Sequence, residues 1–181
     1  MKLLITGSNG LLGQKLVSYC QKNNVDFLAT SAGVNRNPEL EDQNYLTLDI
    51  TDATAVVKMI QLVLPTHIMN TAAITNVDAC EVNEDLCHEV NVKAVQILFN
   101  LSKAHNIHFQ QLSTDFVFDG EKGNYSETDE VNPLSIYAQS KVLSEKILLN
   151  SEYQNWSIVR TIIVFGAGHQ LSRSNIVLWA R

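Results

Sequence analysis

The segment that constrains this chain most is Thr6-Gly7-Ser8-Asn9-Gly10-Leu11-Leu12-Gly13, directly behind the apolar run Leu3 to Thr6. Beyond it, Leu12, Leu16, Val17 and Cys20 recur at helical spacing, so the glycines occupy a strand-to-helix turn. A glycine in such a turn permits backbone angles closed to other residues, and a missing side chain lets a ligand approach the main chain. The helix that follows presents unpaired N–H groups and the positive end of its dipole. Gly7, Gly10 and Gly13, with Asn9, Leu11 and Leu12, therefore form the expected cradle of a pyrophosphate.

The rest of the chain repeats the strand–helix alternation. Strands are predicted at Val25 to Ala29, Tyr45 to Leu48, His67 to Asn70, Ile107 to Leu112 and Trp156 to Ile163. Asp52 caps a helix bearing Val56, Val57, Ile60 and Val63, which Pro65 stops. Asp78 and Glu81 have capping-box spacing for a helical region running towards residue 104, and Ser135 to Leu149 is a further helix. Alternation of this kind specifies an α/β fold: a doubly wound parallel sheet, strand order 3-2-1-4-5-6, with helices on both faces. The 181 residues contain 45% apolar side chains, enough to bury one core, and no run long enough for a membrane span. A net charge of -6 argues against nucleic acid or an anionic membrane as partner. Cys20, Cys80 and Cys87 form no CxxC and cannot all pair, so reduced thiols and a cytoplasmic location are expected. His88, His105 and His108 form no constellation with them, and no metal site is assigned.

Ligands on such sheets sit at the carboxyl ends of the strands, and four further groups fall there. Asp49 and Ile50 follow strand three, where a carboxylate can accept from an adenine amino group beside an aliphatic side chain. Asn70, Ala72 and Ala73 follow strand four, small enough for a ribose to lie against the backbone. Ser113 and Thr114 end strand five and can polarise a carbonyl. Tyr137 and Lys141 stand one helical turn apart, where the ammonium would favour the phenolate. Each pattern alone is ordinary; their order along one sheet is not.

In that order the residues resemble the extended short-chain dehydrogenase/reductase family. TNVDACE at Thr75 to Glu81, STDFVFDG at Ser113 to Gly120, NPLSIYAQSK at Asn132 to Lys141 and VRTIIVF at Val159 to Phe165 look like its dTDP-4-dehydrorhamnose reductase branch. The resemblance implies reduction of the 4-keto group of a nucleotide-linked deoxysugar by a nicotinamide cofactor, for the sugars of cell-surface polysaccharides. Tyr137 would protonate the developing alkoxide, and Lys141 would lower its pKa and hold the nicotinamide ribose. Thr114 would be the catalytic hydroxyl, with Ser113 nearer the cofactor. Asn91 would support the lysine through water. Phe116 stands where the branch commonly has Tyr, which bears on the choice of sugar.

After strand two, Ala29-Thr30-Ser31-Ala32 carries no carboxylate, and Arg36 follows. Ser31 and Arg36 leave room for a 2′-phosphate, which favours NADP(H) while leaving NAD(H) open. Two rivals share these motifs. A nucleotide-sugar dehydratase or epimerase is one, although dehydratases commonly carry an acid where Phe116 stands. The other is a non-catalytic NADP-binding subunit resembling the beta subunit of methionine adenosyltransferase. The branch sometimes holds a divalent cation at a subunit contact, for which no ligands are identified, and a homodimer is compatible with it. Residues 1–165 are read as the dinucleotide-binding domain with the catalytic groups, and 166–181 as the start of a substrate-binding part. Ile176 to Arg181 is an apolar helical pattern without a capping glycine, so the chain is expected to stop inside an element, bind dinucleotide and turn over poorly. Trp156 and Trp179 are read as packing residues.

Overall fold

The computed structural model describes residues 1–171; the patterned segment Ile176 to Arg181 and Trp179 lie outside the described residues. Strands β1 (Lys2–Thr6), β2 (Asp26–Ser31), β3 (Tyr45–Thr47), β4 (His67–Asn70), β5 (His108–Thr114) and β6 (Trp156–Thr161) form one sheet in the order β3-β2-β1-β4-β5-β6. Every pairing is parallel. The expected Rossmann-type order is therefore the observed one.

Because successive side chains alternate across a strand, β1 divides the core. Leu3 and Ile5 pack with Val17 and Cys20 of α1 (Leu11–Lys22) on one face. Leu4 packs on the other with Val56 and Ile60 of α2 (Ala53–Val63) and Leu98 of α5 (Ala94–Ala104). Leu148 of α6 (Ile136–Leu149) joins that second cluster, as does half-buried Trp156, a packing residue as expected. All three cysteines are buried and free.

Local chemistry sets most boundaries. Asp52 caps α2 by accepting from the Ala55 amide at 3.0 Å, and Leu64 closes it in the left-handed region with φ 49°. Ser135 caps α6 by accepting from the Ala138 amide at 3.2 Å. Several boundaries differ from expectation: β2 and β5 run two residues further, to Ser31 and Thr114. The helical region before residue 104 starts at Asn76, not Asp78, since Asn76 accepts from the Ala79 amide at 3.2 Å. It also breaks into α3 (Val77–Val82), α4 (Glu84–His88) and a π turn (Glu89–Lys93) before α5. Asn83 makes the first break by leaving helical geometry and capping α4 through the Leu86 amide at 3.0 Å. Glu81, freed from any capping box, accepts from the Ile136 amide at 2.8 Å and so caps α6 from outside. Strand six ends at Thr161 and not Ile163, because its partner β5 ends opposite it at Thr114.

Candidate active site

All seventeen residues assigned from the sequence to catalysis or cofactor binding line one cavity of about 910 Å³ at the carboxyl edge of the sheet. At one end is the glycine turn. Gly7 has φ +73°, and a Cβ there would lie 2.5 Å from the Ala72 nitrogen. A Cβ on Gly13 would lie 2.6 Å from the Ser8 Cα, so this glycine lets α1 pack on the turn. Gly10 caps α1 without a side-chain bond, and no acidic residue occupies the first turn. The helix terminus at Leu11 and Leu12 is therefore open to an anion.

The carboxamide groups nearby are already engaged. Asn9 donates to the Val34 carbonyl and accepts from the Arg36 amide, both at 2.9 Å. Asn70 accepts from the Thr6 hydroxyl at 2.6 Å and donates to Gln111 at 2.7 Å, so it fastens β1, β4 and β5 together. Its neighbours Ala72 and Ala73 present the small surface expected of them. Asp49 accepts twice from Thr51 through Oδ1, at 2.9 and 2.7 Å. Ile50 is mostly in the core, with an edge on the cavity.

At the other end stand the groups of β5 and α6. The inward stripe of α6 is Tyr137, Ser140, Lys141, Ser144, Glu145 and Leu148, an unusually polar face for a buried helix. Ser140 and Ser144 satisfy themselves by donating to Tyr137 and Lys141 carbonyls at 2.7 Å each. Thr114 donates to Asp115 and accepts from the Phe116 amide, both at 3.2 Å. Ser113 lines the same wall, and its buried hydroxyl has no hydrogen-bond partner among the described residues. Phe116, 46% exposed, meets the Tyr137 ring edge-on at 6.3 Å between centroids.

The electrostatics depart from the sequence expectation in one respect. Burial raises the Tyr137 phenol above its ordinary value, and Cys80, Asp115 and Cys87 push it the same way, while hydrogen bonding with Thr114 pulls it down. Lys141 is not among the groups acting on it. The ammonium instead donates to the Leu112 carbonyl at 2.6 Å, and burial lowers its pKa to about 8 against the pull of Glu145 and Cys87. Tyr137 is thus an intact phenol at neutral pH, a proton donor rather than a phenolate. Asn91 stands close by. Its carboxamide accepts from the Ile74 amide and donates to the Ile74 carbonyl and the Ser140 hydroxyl, at 2.9, 3.0 and 3.0 Å. It joins the segment after β4 to α6 through Ser140.

The lysine supplies a pH test. A folded-state value of about 8 lies below the ordinary 10.5, so between those limits the unfolded chain binds the extra proton. Stability from this group is absent below about pH 8, grows as pH rises and is complete above 10.5. Urea unfolding from pH 7 to 10 should show that rise in the parent protein and lose it in Lys141→Met. An unchanged slope in the variant would assign the rise elsewhere.

The sequence reading missed several cavity residues. Thr71 and Leu112 flank residues it had chosen and could have been taken with them. Glu89 and Val90 lie on the π turn, which periodicity reads as ordinary helix. Among the described residues, no group of three His, Cys, Asp or Glu side chains could hold a metal ion.

A 3-2-1-4-5-6 sheet with a glycine turn behind β1, Ser-Thr behind β5 and Tyr-x-x-x-Lys on α6 is the arrangement of the extended short-chain dehydrogenase/reductases. Within that class the chain belongs to the family described as RmlD substrate binding domain, whose model matches residues 1–178. It is 38% identical over 166 residues to a dTDP-4-dehydrorhamnose reductase of Aggregatibacter actinomycetemcomitans, covering 91% of this chain and 52% of that protein. It is 31% identical over 178 residues to methionine adenosyltransferase 2 subunit beta of Bos taurus, covering 98% and 51% respectively. A crystal structure of dTDP-4-dehydrorhamnose reductase from Bacillus anthracis in complex with NADP superposes with a TM-score of 0.78 at 27% identity, over 94% of this chain and 56% of that one. The chain spans about half the length of these relatives.

Proposed function

We propose that the protein uses a nicotinamide dinucleotide, NADP(H) in preference to NAD(H), to reduce the 4-keto group of a nucleotide-linked deoxysugar. The observation that carries this reading is the placement of Thr114, Tyr137 and Lys141 on the wall of the same cavity that ends in the glycine turn. The cavity fits the cofactor on three counts. Gly10 leaves the helix start bare, since a Cβ there would meet only the Gly7 carbonyl at 3.3 Å, Ser113 keeps a buried hydroxyl without a partner among the described residues, and Arg36 brings a cation to the side without carboxylates. The related reductase that binds NADP supports the same assignment.

When bound, the reduced nicotinamide would supply the hydride. The chain's own residues do the rest. Tyr137, protonated at neutral pH, gives its proton to the oxygen on which negative charge develops. Thr114, already oriented by Asp115 and Phe116, hydrogen-bonds that oxygen as its charge grows. Lys141, whose ammonium rests on the Leu112 carbonyl of β5, can exchange that carbonyl for ribose hydroxyls. Phe116 forms an apolar wall against which the sugar lies and from which water is displaced. In this reading residues 1–165 bind the dinucleotide and carry the reacting groups, and 166–181 begin the part that binds the sugar.

Three buried free thiols suit a reducing cytoplasm, and no described helix is long and apolar enough to cross a membrane. The test is fluorescence titration with NADPH, followed by its oxidation in the presence of a dTDP-4-keto-6-deoxysugar. Saturable binding with slow sugar-dependent oxidation is expected; failure to bind either dinucleotide would sink the proposal. The likeness to the methionine adenosyltransferase subunit sustains one alternative, a regulatory NADP-binding role. Binding without turnover on any keto sugar, together with co-purification of an unrelated enzyme, would favour it.

A further inference from the structure

Asn9 falls inside the glycine turn, where the sequence suggests a direct contact with the dinucleotide. Its side chain is 7% exposed and is turned away to the segment that follows β2. There it grips the backbone twice, donating to the Val34 carbonyl and accepting from the Arg36 amide, both at 2.9 Å. The same segment is held from the opposite side by β3 and its approach. The Tyr45 hydroxyl donates to the Gly33 carbonyl at 2.6 Å and the Thr47 hydroxyl donates to it at 3.0 Å.

The residue so held is the one with charge to offer. Arg36 lines the cavity, and among the described residues its guanidinium has no hydrogen bond or ion pair. The nearest acids in sequence are occupied elsewhere: Glu39 lies 3.6 Å from His169, and Glu41 accepts from Gln43. From Phe27 to Pro38 the chain has no carboxylate. A cation on a pre-fixed backbone binds an anion without first ordering its own loop, so fixing it strengthens the contact.

We propose that Asn9 is a positioning residue for an adenosine 2′-phosphate subsite: its carboxamide holds residues 33–36 so that Arg36 faces the phosphate. This rests on the dinucleotide reading given above and adds to it the residue that enforces the choice of cofactor. The subsite takes a phosphate monoester on the ribose; a free 2′-hydroxyl gains little from it. Arg36 touches the ligand, and Asn9 acts through Arg36.

The experiment measures Kd for NADP⁺ and NAD⁺ with the parent protein, Asn9→Ala, Arg36→Ala and the double variant. Arg36→Ala and Asn9→Ala are each expected to weaken NADP⁺ at least about tenfold and to leave NAD⁺ within about threefold. Because one residue acts through the other, the double variant should bind NADP⁺ no more than about threefold worse than Arg36→Ala. Equal weakening of both dinucleotides by Asn9→Ala would overturn the proposal, since Asn9 would then only shape the pyrophosphate turn. Multiplying effects in the double variant would overturn it too. A parent that binds neither dinucleotide would instead refute the dinucleotide reading itself, and this proposal with it. Hydrogen exchange on the parent gives a test free of folding defects. The Arg36 amide should be protected, and NADP⁺ should slow its exchange more than NAD⁺ does at equal saturation. Equal slowing by the two would count against the subsite.

Discussion

Tyr137→Phe is expected to lower kcat for NADPH-dependent reduction of a nucleotide-linked 4-keto sugar by about a hundredfold or more, with dinucleotide Kd kept within about threefold. The substitution removes one oxygen and leaves the ring, which is 91% shielded by its surroundings in the sense that only 9% of the residue is exposed. Its packing against Cys80 and Cys87 and its edge contact with Phe116 should persist. What disappears is the proton that burial keeps on the phenol at neutral pH. On the proposed reading, the charge it neutralises exists only as reduction proceeds, so the loss should fall on kcat more than on binding. A loss below tenfold, about 1.4 kcal/mol of barrier, would mean that another group delivers the proton.

The largest stability effect is expected from Arg160→Ala, about 3 kcal/mol, which for a chain of this size is roughly 10 °C in Tm. Arg160 of β6 grips Glu145 of α6 with two bonds, Nε to Oε1 at 2.9 Å and Nη2 to Oε2 at 2.7 Å. The carboxylate side chain is only 2% exposed, so removal of the guanidinium strands a charge in the interior. The same arginine donates to the Glu127 carbonyl at 3.3 Å and lies 5.1 Å from the Phe118 ring centroid, tying the loop before α6 to the sheet. Glu145 stands one turn beyond Lys141 and is a group that holds the lysine pKa up. The double substitution Glu145→Leu with Arg160→Leu should recover at least half of the lost stability, because it strands no charge. Thermal melts of the parent and the two variants decide the matter. A change under about 1 kcal/mol in Arg160→Ala would show that water reaches Glu145.

Much of this was legible in one dimension, for reasons particular residues make plain. Gly7 reads as a turn because its φ is positive and Ala72 crosses close behind it. Asp52 and Ser135 read as caps because each bonds an amide three residues ahead, an interaction contained in the local chain. The break at Asn83 was hidden, since apolar spacing continues through it. Glu81 was assigned to its own helix because its actual partner, the Ile136 amide, lies fifty-five positions away. The direction of the Tyr137 shift was misjudged for a similar reason. Spacing shows that Lys141 is one turn away, but burial is a property of everything packed around the ring.

The strand order, the gathering of all the chosen residues at one sheet edge and the family itself follow from the sequence, because parallel crossovers have one hand and short motifs have local geometry. Tertiary structure decided which atoms those residues have left to offer. Asn70 and Asn9 are spoken for by neighbours, the side chains of Arg36 and Ser113 have no hydrogen-bond partner among the described residues, and Lys141 waits on a carbonyl. Hydrogen-bond satisfaction and desolvation depend on contacts between distant segments, and only the folded chain brings those segments together.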